Sequence, residues 1–274
     1  MSKNYEDLTI RDSFMFGKIC SKVENRKIIL DALLQIDLHE RRGDVEKQLQ
    51  IFRDAKYSKL DLISEDESNR VYNAEMQNAS YDKLRQMELP NRSRFYQSIL
   101  DAAYFETGKK YYNLLETFII FICTFDPFDK GLPIYTLDTK CNEIDLPEYN
   151  DNAHKIFFNT TADLSGLPQS VQNMLKYIET GIANDSATKT IDKEISEARL
   201  KEEWRAEYML NLVHDTDVYR DGFDEGADSR QPEIDILTEK LLEKDILIHD
   251  KDAKLKALED DIKLLKKQLN SLSK

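Results

Sequence analysis

A chain of 274 residues, 41% of them hydrophobic and 33% charged, has room for one buried core and a highly charged extension. The net charge of −13 argues against purely electrostatic binding to nucleic acid, but it leaves room for a local basic groove or an acidic site that recruits Mg²⁺. Three widely spaced cysteines without a CxxC pair argue against a disulfide framework and against a zinc site.

The sequence contains no segment that resembles a secretion signal or a membrane span. Residues Met1–Thr9 are polar and acidic, and the longest apolar run, Phe118–Cys123, is far too short to cross a bilayer. We therefore expect a cytoplasmic protein that does not insert into a membrane.

The chain begins with predicted helices and continues into a predicted β-hairpin. Apolar residues recur at helical spacing from Leu8 to Ile36, whereas the polar stretch Arg41–Asp54 gives no clear prediction. Two β-compatible runs, Tyr57–Ile63 and Val71–Gln77, flank the turn-like stretch 64–70. A hairpin is the simplest interpretation of this pattern.

A helix and three strands follow the hairpin. Pro90 is unsuited to a helix interior, so we expect a helix to begin at Asn91 and to end near Gly108. The continuous apolar run Thr117–Phe125 predicts a strand buried on both faces. Two shorter strands are predicted at Ile134–Leu137 and Lys155–Asn159. The pattern is helical from Pro168 onward, and the whole order predicts an α/β fold with a mixed sheet flanked by helices.

The C-terminal segment carries a heptad repeat. Apolar residues stand seven apart at Ile234, Leu241, Ile248, Leu255, Ile262 and Leu269. Leucines fill the second apolar position of most repeats, while Lys244 and Lys251 interrupt it. This pattern predicts a coiled coil through which the protein forms a homo-oligomer, and a lone amphipathic helix packed on the core is the alternative.

These patterns divide the chain into four predicted regions. The glycines between Asp217 and Pro232, together with that proline, predict a joint in front of the coiled coil. The regions are an α/β core over residues 1–165, a helical extension over 166–216, a linker over 217–232 and a coiled coil over 233–274.

Two acidic residues on the predicted hairpin point to a metal site. Glu75 shares a strand face with Gln77, and Asp61 stands inside an apolar run, where an unpaired buried carboxylate is costly. If the turn lies near residues 66–68, Asp61 and Glu75 are about equally far from it and their carboxylates converge. A cation between them would relieve their repulsion, and Mg²⁺ or Mn²⁺ suits oxygen ligands with open water positions. Gln77 could orient a water or a phosphate, but it cannot supply the positive charge of a lysine.

Seven blocks of the sequence occur in an order typical of one protein family. The blocks are Leu8–Phe16, Leu60–Leu62, Asn73–Gln77, Arg92–Ser98, Phe121–Phe128, Ile134–Thr136 and Glu202–Arg205. Together they resemble the Rpn family, the transposase-like recombination-promoting nucleases of the PD-(D/E)xK superfamily. The resemblance covers roughly residues 8 to 213.

This resemblance implies a restriction-endonuclease-like PD-(D/E)xK core and a metal-dependent endonuclease that hydrolyses phosphodiester bonds in DNA. The implied setting is the interior of a bacterial cell, in DNA recombination by mobile elements or in phage defence. Asp61 and Glu75 take the positions of the metal-binding catalytic acids, and the Met76 backbone carbonyl completes the metal shell. Gln77 stands at the catalytic lysine position. Because it replaces a lysine, a weak or inactive nuclease fold that binds DNA or proteins is the alternative function.

Further residues enter the implied site with alternative roles. Asp12 takes the position of an additional acid from the first helix, or else it caps that helix. Arg92 and Arg94 are expected near a helix N-terminus, where they would bind phosphate unless they are solvated charges. Tyr96 and Gln97 would face the same cleft and contact the substrate, or else pack in the core.

Overall fold

Six strands in the described part of the chain form one mixed sheet. The computed structural model describes residues 3–49, 58–78, 83–105 and 108–272, so Tyr57 at the start of the predicted hairpin lies outside the described residues. The strands are β1 Glu40–Leu49, β2 Ser58–Asp66, β3 Arg70–Gln77, β4 Glu116–Cys123, β5 Ile134–Leu137 and β6 Ala153–Asn159. Their spatial order is β1-β2-β3-β4-β6-β5. β1, β2 and β3 are antiparallel neighbours, β4 runs parallel to β3 and to β6, and β5 is antiparallel to β6. The expected α/β class with a mixed sheet is confirmed.

Six α-helices lie in the described part of the chain, and those before residue 200 flank the sheet. They are α1 Ser13–Cys20, α2 Val23–Leu34, α3 Lys83–Tyr104, α4 Gln169–Thr180, α5 Ser186–Ala198 and α6 Glu202–Leu272. α3 connects the parallel strands β3 and β4, and it packs on the sheet through Leu89, Tyr96 and Leu100. α1 contacts β1, β2 and β3, and it packs with α2 and α5. No helix in these described ranges is long and apolar enough to cross a membrane.

β4 is the centre of the hydrophobic core. Its residues Ile119 to Cys123 are all fully buried, as expected of an apolar strand covered on both faces. On the face that α3 covers, Phe121 stacks on Tyr96 and on Phe157, with ring centroids 6.0 and 5.1 Å apart. These aromatic contacts fix α3 against the middle of the sheet.

The strand β1 was not predicted, because its sequence ERRGDVEKQL is almost entirely polar. β1 is an edge strand that pairs only with β2, so most of its side chains remain partly exposed. One of its acids is nevertheless buried: Glu40 forms an ion pair with Arg26 of α2. Backbone pairing with β2 and this ion pair therefore hold β1 in place, although its sequence lacks the apolar pattern by which strands are usually recognised.

The predicted start of the helix after the hairpin is wrong. α3 begins at Lys83 and contains Pro90, which we expected to exclude a helix interior. Proline removes one backbone hydrogen bond and costs about 3 kcal/mol in a helix. Here the Ser93 hydroxyl donates to the Pro90 carbonyl at 2.8 Å, and Leu89 is buried in the core. Burial of Leu89 and of Ser93 therefore helps to offset the local cost.

The predicted division of the chain differs from the structure at two places. Residues Met1–Met209 form one unit and Leu210–Lys274 a second, so α4 and α5 belong to the same unit as the sheet. The interruption expected at 217–232 is not found, because α6 continues through Gly222, Gly226 and Pro232. Single glycines and prolines lower helix stability without forbidding helix, and long helical flanks on both sides compensate for them.

The segment predicted to form a coiled coil is helical up to Leu272. The described side chains between Ile234 and Leu265 are exposed along it, and the last two residues of the predicted segment lie outside the described part of the chain. The helix is therefore found, while its pairing with a partner stays a prediction.

Candidate functional site

The β2–β3 hairpin brings Asp61 and Glu75 together. Leu62 pairs with Ala74 across the hairpin, and the same register one residue further puts Asp61 opposite Glu75. The Asp61 backbone N–H donates to Glu75 Oε1 at 3.0 Å. The Met76 backbone N–H donates to Asp61 Oδ2 at 3.1 Å. The two acids thus lie side by side at the open end of the hairpin, as their spacing from the turn predicts.

Glu75 is a buried carboxylate beside a second carboxylate. Its side chain is 2% exposed. Asn73 Nδ2 donates to Glu75 Oε1 at 2.9 Å. Burial first, and the nearby charge of Asp61 second, raise the pKa of Glu75 well above its usual value, despite hydrogen bonds from Asn73 and Asp61 and the charge of Arg92. The site therefore disfavours the ionised form of Glu75 unless positive charge is added.

Arg92 is the cation nearest to Glu75 among the contacts of the described residues. Its Nη1 donates to Gln77 Oε1 and its Nη2 to Tyr96 Oη, both at 2.9 Å. Nη2 lies 3.9 Å from Glu75 Oε2, beyond a direct hydrogen bond. The guanidinium also lies over the rings of Tyr96 and Phe121, 5.4 and 5.6 Å from their centroids. Arg92 thus links Gln77 to the acid pair while remaining 32% exposed.

The periodicity of α3 places Arg92 at this point. Leu89, Arg92 and Tyr96 are three and four residues apart, so they share one helix face. Leu89 and Tyr96 are buried against the sheet, and Arg92 therefore points to the ends of β3 and β4. Because α3 begins at Lys83, Arg92 lies in the middle of the helix and not at its N-terminus, where it had been expected. Any contact with phosphate must therefore come from the guanidinium and not from the helix dipole.

Three predicted residues have other neighbours. The buried amide of Gln97 donates to Asp101 and to Thr117 at the start of β4, whereas Glu75 pairs with Phe121 further along that strand. Arg94 is exposed. Asp12 Oδ2 accepts from the Thr9 backbone N–H at 2.8 Å, and Asp12 Oδ1 pairs with Lys3 at 2.9 Å.

These contacts give Asp12 a structural role at the start of α1, one that requires no metal. They also separate Gln97 from the group formed by Asp61, Glu75, Gln77, Arg92 and Tyr96. The predicted site residues therefore fall into a group that the fold brings together and a remainder that it distributes elsewhere.

Asn73 is a site residue that the sequence analysis did not select. It is fully buried, and its amide nitrogen donates to the Leu62 carbonyl and to Glu75. Its Oδ1 is buried without a hydrogen-bond partner in the described part of the chain. Buried polar atoms are normally hydrogen-bonded, so this acceptor suits a bound water beside Glu75. A polar residue two positions before Glu75, on the same strand face, was the signal for it.

The donor set fits a hard divalent cation that keeps several waters. Two carboxylates and a backbone carbonyl at the Met76 position are the type of ligand that Mg²⁺ and Mn²⁺ prefer, and Mg²⁺ is often held by only one or two carboxylates. Across the described residues, no three histidine, cysteine or acidic side chains are grouped closely enough to hold a metal by themselves. Any ion here would therefore depend on water or on substrate oxygens for the rest of its shell.

Comparison of the chain with protein-family models, with curated protein sequences and with solved structures gives no significant match. The geometry of the site is therefore the basis for assigning a function.

Proposed function

We propose that this chain is a divalent-metal-dependent DNA endonuclease with a PD-(D/E)xK core. The observation that carries the proposal is the pairing of Asp61 with the buried Glu75. A carboxyl group whose pKa is raised by burial and by a second carboxylate beside it gains stability from an added cation. The resemblance to the Rpn family implies the same residues, the same metal and a bacterial cell interior as the setting.

In the proposed reaction, a water oxygen attacks the phosphorus of a DNA phosphodiester and the bond from phosphorus to one sugar oxygen breaks. Mg²⁺ or Mn²⁺, when bound, supplies a Lewis acid for the phosphoryl oxygen and lowers the pKa of a coordinated water. Asp61 and Glu75 hold the cation, and the Met76 carbonyl adds a neutral oxygen. Asn73 Oδ1 accepts a hydrogen bond from a water next to Glu75.

Arg92 supplies positive charge where Gln77 cannot. An amide stabilises the charge that develops on a phosphate less well than an ammonium group does. The guanidinium hydrogen-bonded to Gln77 is partly exposed and has donors suited to phosphate oxygens. In the proposal, Arg92 contacts the scissile phosphate and Gln77 orients the guanidinium.

The test is a plasmid-nicking assay with Mg²⁺, Mn²⁺ or a chelator. We expect Asp61→Ala and Glu75→Ala each to abolish metal-dependent nicking, because each removes a metal ligand. Glu67→Ala is the matched control, since Glu67 is an exposed acid at the tip of the same hairpin. Nicking that persists in both site variants, or that is insensitive to chelator in the wild type, would overturn the proposal.

One observation favours a second function, a DNA-binding or protein-interaction module with little catalysis. The Gln77 amide already accepts a hydrogen bond from Arg92, so it is committed to a protein contact. Such a module would bind DNA equally well with chelator, and Asp61→Ala would leave binding unchanged. Filter binding of labelled DNA with and without metal separates the two functions.

We also propose that the protein forms a homo-oligomer through residues 233–274. The heptad pattern lies on a helix that continues to Leu272, and its described apolar side chains, from Ile234 to Leu265, are exposed in the single chain. Light scattering on the full chain and on a version ending at Arg230 tests this: the full chain should be oligomeric and the shorter version monomeric. Two monomers, or two identical oligomers, would contradict the assignment of this segment.

A further inference from the structure

We infer that the C-terminal part of α6 pairs with the same segment of a second copy of this chain as a parallel, in-register, two-stranded coiled coil. The inference rests on the self-association proposed above and is independent of nuclease activity. It adds the number of strands, their direction and their register. Direction and register follow from charges beside the heptad positions, and Lys244 and Lys251 within the repeat favour a small number of strands.

The apolar residues of the heptad repeat stay on one face of the helix because the helix is not interrupted. With Ile234 as position a of the heptad, the described apolar residues at positions a and d are between 49% and 62% exposed. These residues, called the seam below, are Ile234, Leu237, Leu241, Ile248, Leu255, Leu258, Ile262 and Leu265. A half-exposed stripe of this length along one helix is typical of a surface that binds another helix.

The flanking charges match in a parallel pair. In that arrangement a residue at position g of one helix faces the residue at position e, five further on, of the other helix. The facing pairs with two charges are Lys240 with Asp245, Lys254 with Glu259, and Asp261 with Lys266. Each pair is of opposite sign, and all six residues are exposed. A fourth pair joins Leu247 to Asp252 without a clash of like charges.

The same charges clash in an antiparallel pair. When two antiparallel helices overlap over the whole repeat, position e faces e and position g faces g. Asp245 then faces Glu259, while Asp252 and Lys254 each face their own copies. Facing charges of like sign destabilise a helix pair. The charge pattern therefore favours the parallel direction.

In the in-register parallel pair each of the two lysines within the repeat faces its own copy, and an aspartate beside it offsets the like charge. Lys244 and Lys251 occupy position d, and each is followed directly by an aspartate at position e, Asp245 and Asp252. In a parallel dimer a residue at d packs next to the residue at e of the other helix. Lys244 and Lys251 therefore each lie beside an aspartate of the second copy. A shift by one heptad would place one lysine of each helix opposite a leucine.

The number of strands is tested first, by light scattering on the full chain. We expect twice the mass of the 32.0 kDa monomer. A monomer would show that self-association itself is wrong. A trimer or tetramer would overturn the two-stranded inference, and it would also cover more of Leu247, which is exposed at position g.

Direction is tested by disulfide cross-linking in a Cys141→Ser background, because Cys141 is the exposed cysteine among the three. Single cysteines are introduced as Leu237→Cys and as Leu265→Cys, which lie 28 residues and therefore about 42 Å apart along the helix. Oxidation with copper phenanthroline should link each variant to its own copy. An antiparallel pair can bring at most one of these positions to its copy.

Outward-facing controls are needed for that cross-linking. Glu239→Cys and Asp260→Cys lie at position f, on the helix face away from the seam, and should remain unlinked under the same conditions. Cross-linking at only one of the two seam positions, with the dimer mass unchanged, would overturn the parallel direction and leave self-association intact.

Register is tested by a charge exchange. Asp261 and Lys266 have no oppositely charged residue three or four positions away on the same helix, so their substitution acts mainly between helices. Asp261→Lys should raise the dissociation constant roughly tenfold, because it creates two facing pairs of like charge. Adding Lys266→Asp should restore it to within about threefold. A double variant no tighter than the single one would contradict the proposed register.

Discussion

Two buried acids of this protein, Glu40 and Glu75, have opposite surroundings. The Glu40 side chain is 4% exposed, forms an ion pair with Arg26 and accepts from the Ser64 hydroxyl at 3.0 Å. Arg26 is held in turn by the carbonyls of Cys20 and Ser21. Glu75 is buried just as deeply, but its nearest charged neighbours are another acid and an arginine 3.9 Å away.

The difference separates a structural ion pair from a candidate site. A buried charge is tolerated when a partner and hydrogen bonds compensate for lost hydration. Glu40 has this compensation within the protein. Among the described residues Glu75 has only Arg92 as a nearby positive charge, and its pKa is raised by burial and by the charge of Asp61. Incomplete neutralisation, more than burial itself, therefore identifies the residue that would benefit from a metal ion.

The largest expected effect comes from breaking the compensated pair. Arg26→Met leaves Glu40 buried without its partner and should lower the free energy of unfolding by about 3–5 kcal/mol. Urea unfolding followed by circular dichroism measures the change. The double variant Arg26→Met with Glu40→Met is the control, since it removes both charges and should recover most of the stability. A loss below about 1 kcal/mol in the single variant would contradict the importance of this pair.

Glu75→Gln should change the free energy of unfolding in the opposite direction to Arg26→Met. The folded-state pKa of Glu75 is raised, so the folded protein binds more protons than the unfolded chain at pH values between the two pKa values. The free energy of unfolding therefore falls as pH rises through that window, and it is highest below the ordinary glutamate pKa. At pH 8, in the absence of metal, Glu75→Gln should raise the free energy of unfolding by about 1–2 kcal/mol.

The control for this prediction is the same measurement at low pH, where Glu75 is protonated in both states and the substitution should have little effect. Added Mn²⁺ should stabilise the wild type increasingly as pH rises, because protons and metal compete for the carboxylate. It should stabilise Glu75→Gln much less. Equal metal stabilisation of both proteins would show that the ion binds elsewhere.

Arg92→Met makes the surroundings of Glu75 still less like those of Glu40, because it removes the positive charge that lies nearest to Glu75 among the described residues. The pKa of Glu75 should rise further, and metal stabilisation should appear only at higher pH. We expect a stability loss of about 1 kcal/mol without metal, since Arg92 is partly exposed and its interactions are screened by solvent. Arg94→Met, two residues away and exposed, is the matched control and should change stability by less than about 0.5 kcal/mol. Identical metal titrations for the two variants would contradict the role of Arg92.

Gln77→Lys brings the surroundings of Glu75 closer to those of Glu40 and should have the smallest effect on stability. An ammonium group beside the acid pair stabilises developing phosphate charge better than an amide. We therefore expect nicking activity to be retained or raised, with higher turnover in Mn²⁺ than in Mg²⁺ for the wild type. Complete loss of activity in a folded Gln77→Lys variant would show that the hydrogen bond from Arg92 to the amide is required.

The local sequence was sufficient for the elements with strong patterns. Alternation and apolar runs located β3, β4 and β5 closely, and the distances of Asp61 and Glu75 from the turn predicted their approach. Register in a hairpin is set by its turn, so two residues can be paired from spacing alone. The heptad repeat likewise predicted a long helix at the C-terminus, because helical periodicity is a local property.

Tertiary structure decided what local pattern could not. β1 is a strand because β2 provides hydrogen bonds and Arg26 neutralises Glu40, and neither partner is visible in the local sequence pattern of β1. α3 extends through Pro90 because Leu89, Tyr96 and Leu100 of the same helix are buried in the core. The surroundings of Glu75, which set its pKa, come from β2, β3 and α3 together. The sequence by itself determined which acids approach each other, because their spacing from the turn is local. Charge compensation depends on distances in space, so the packing of α3 on the sheet decided how much positive charge reaches the two acids.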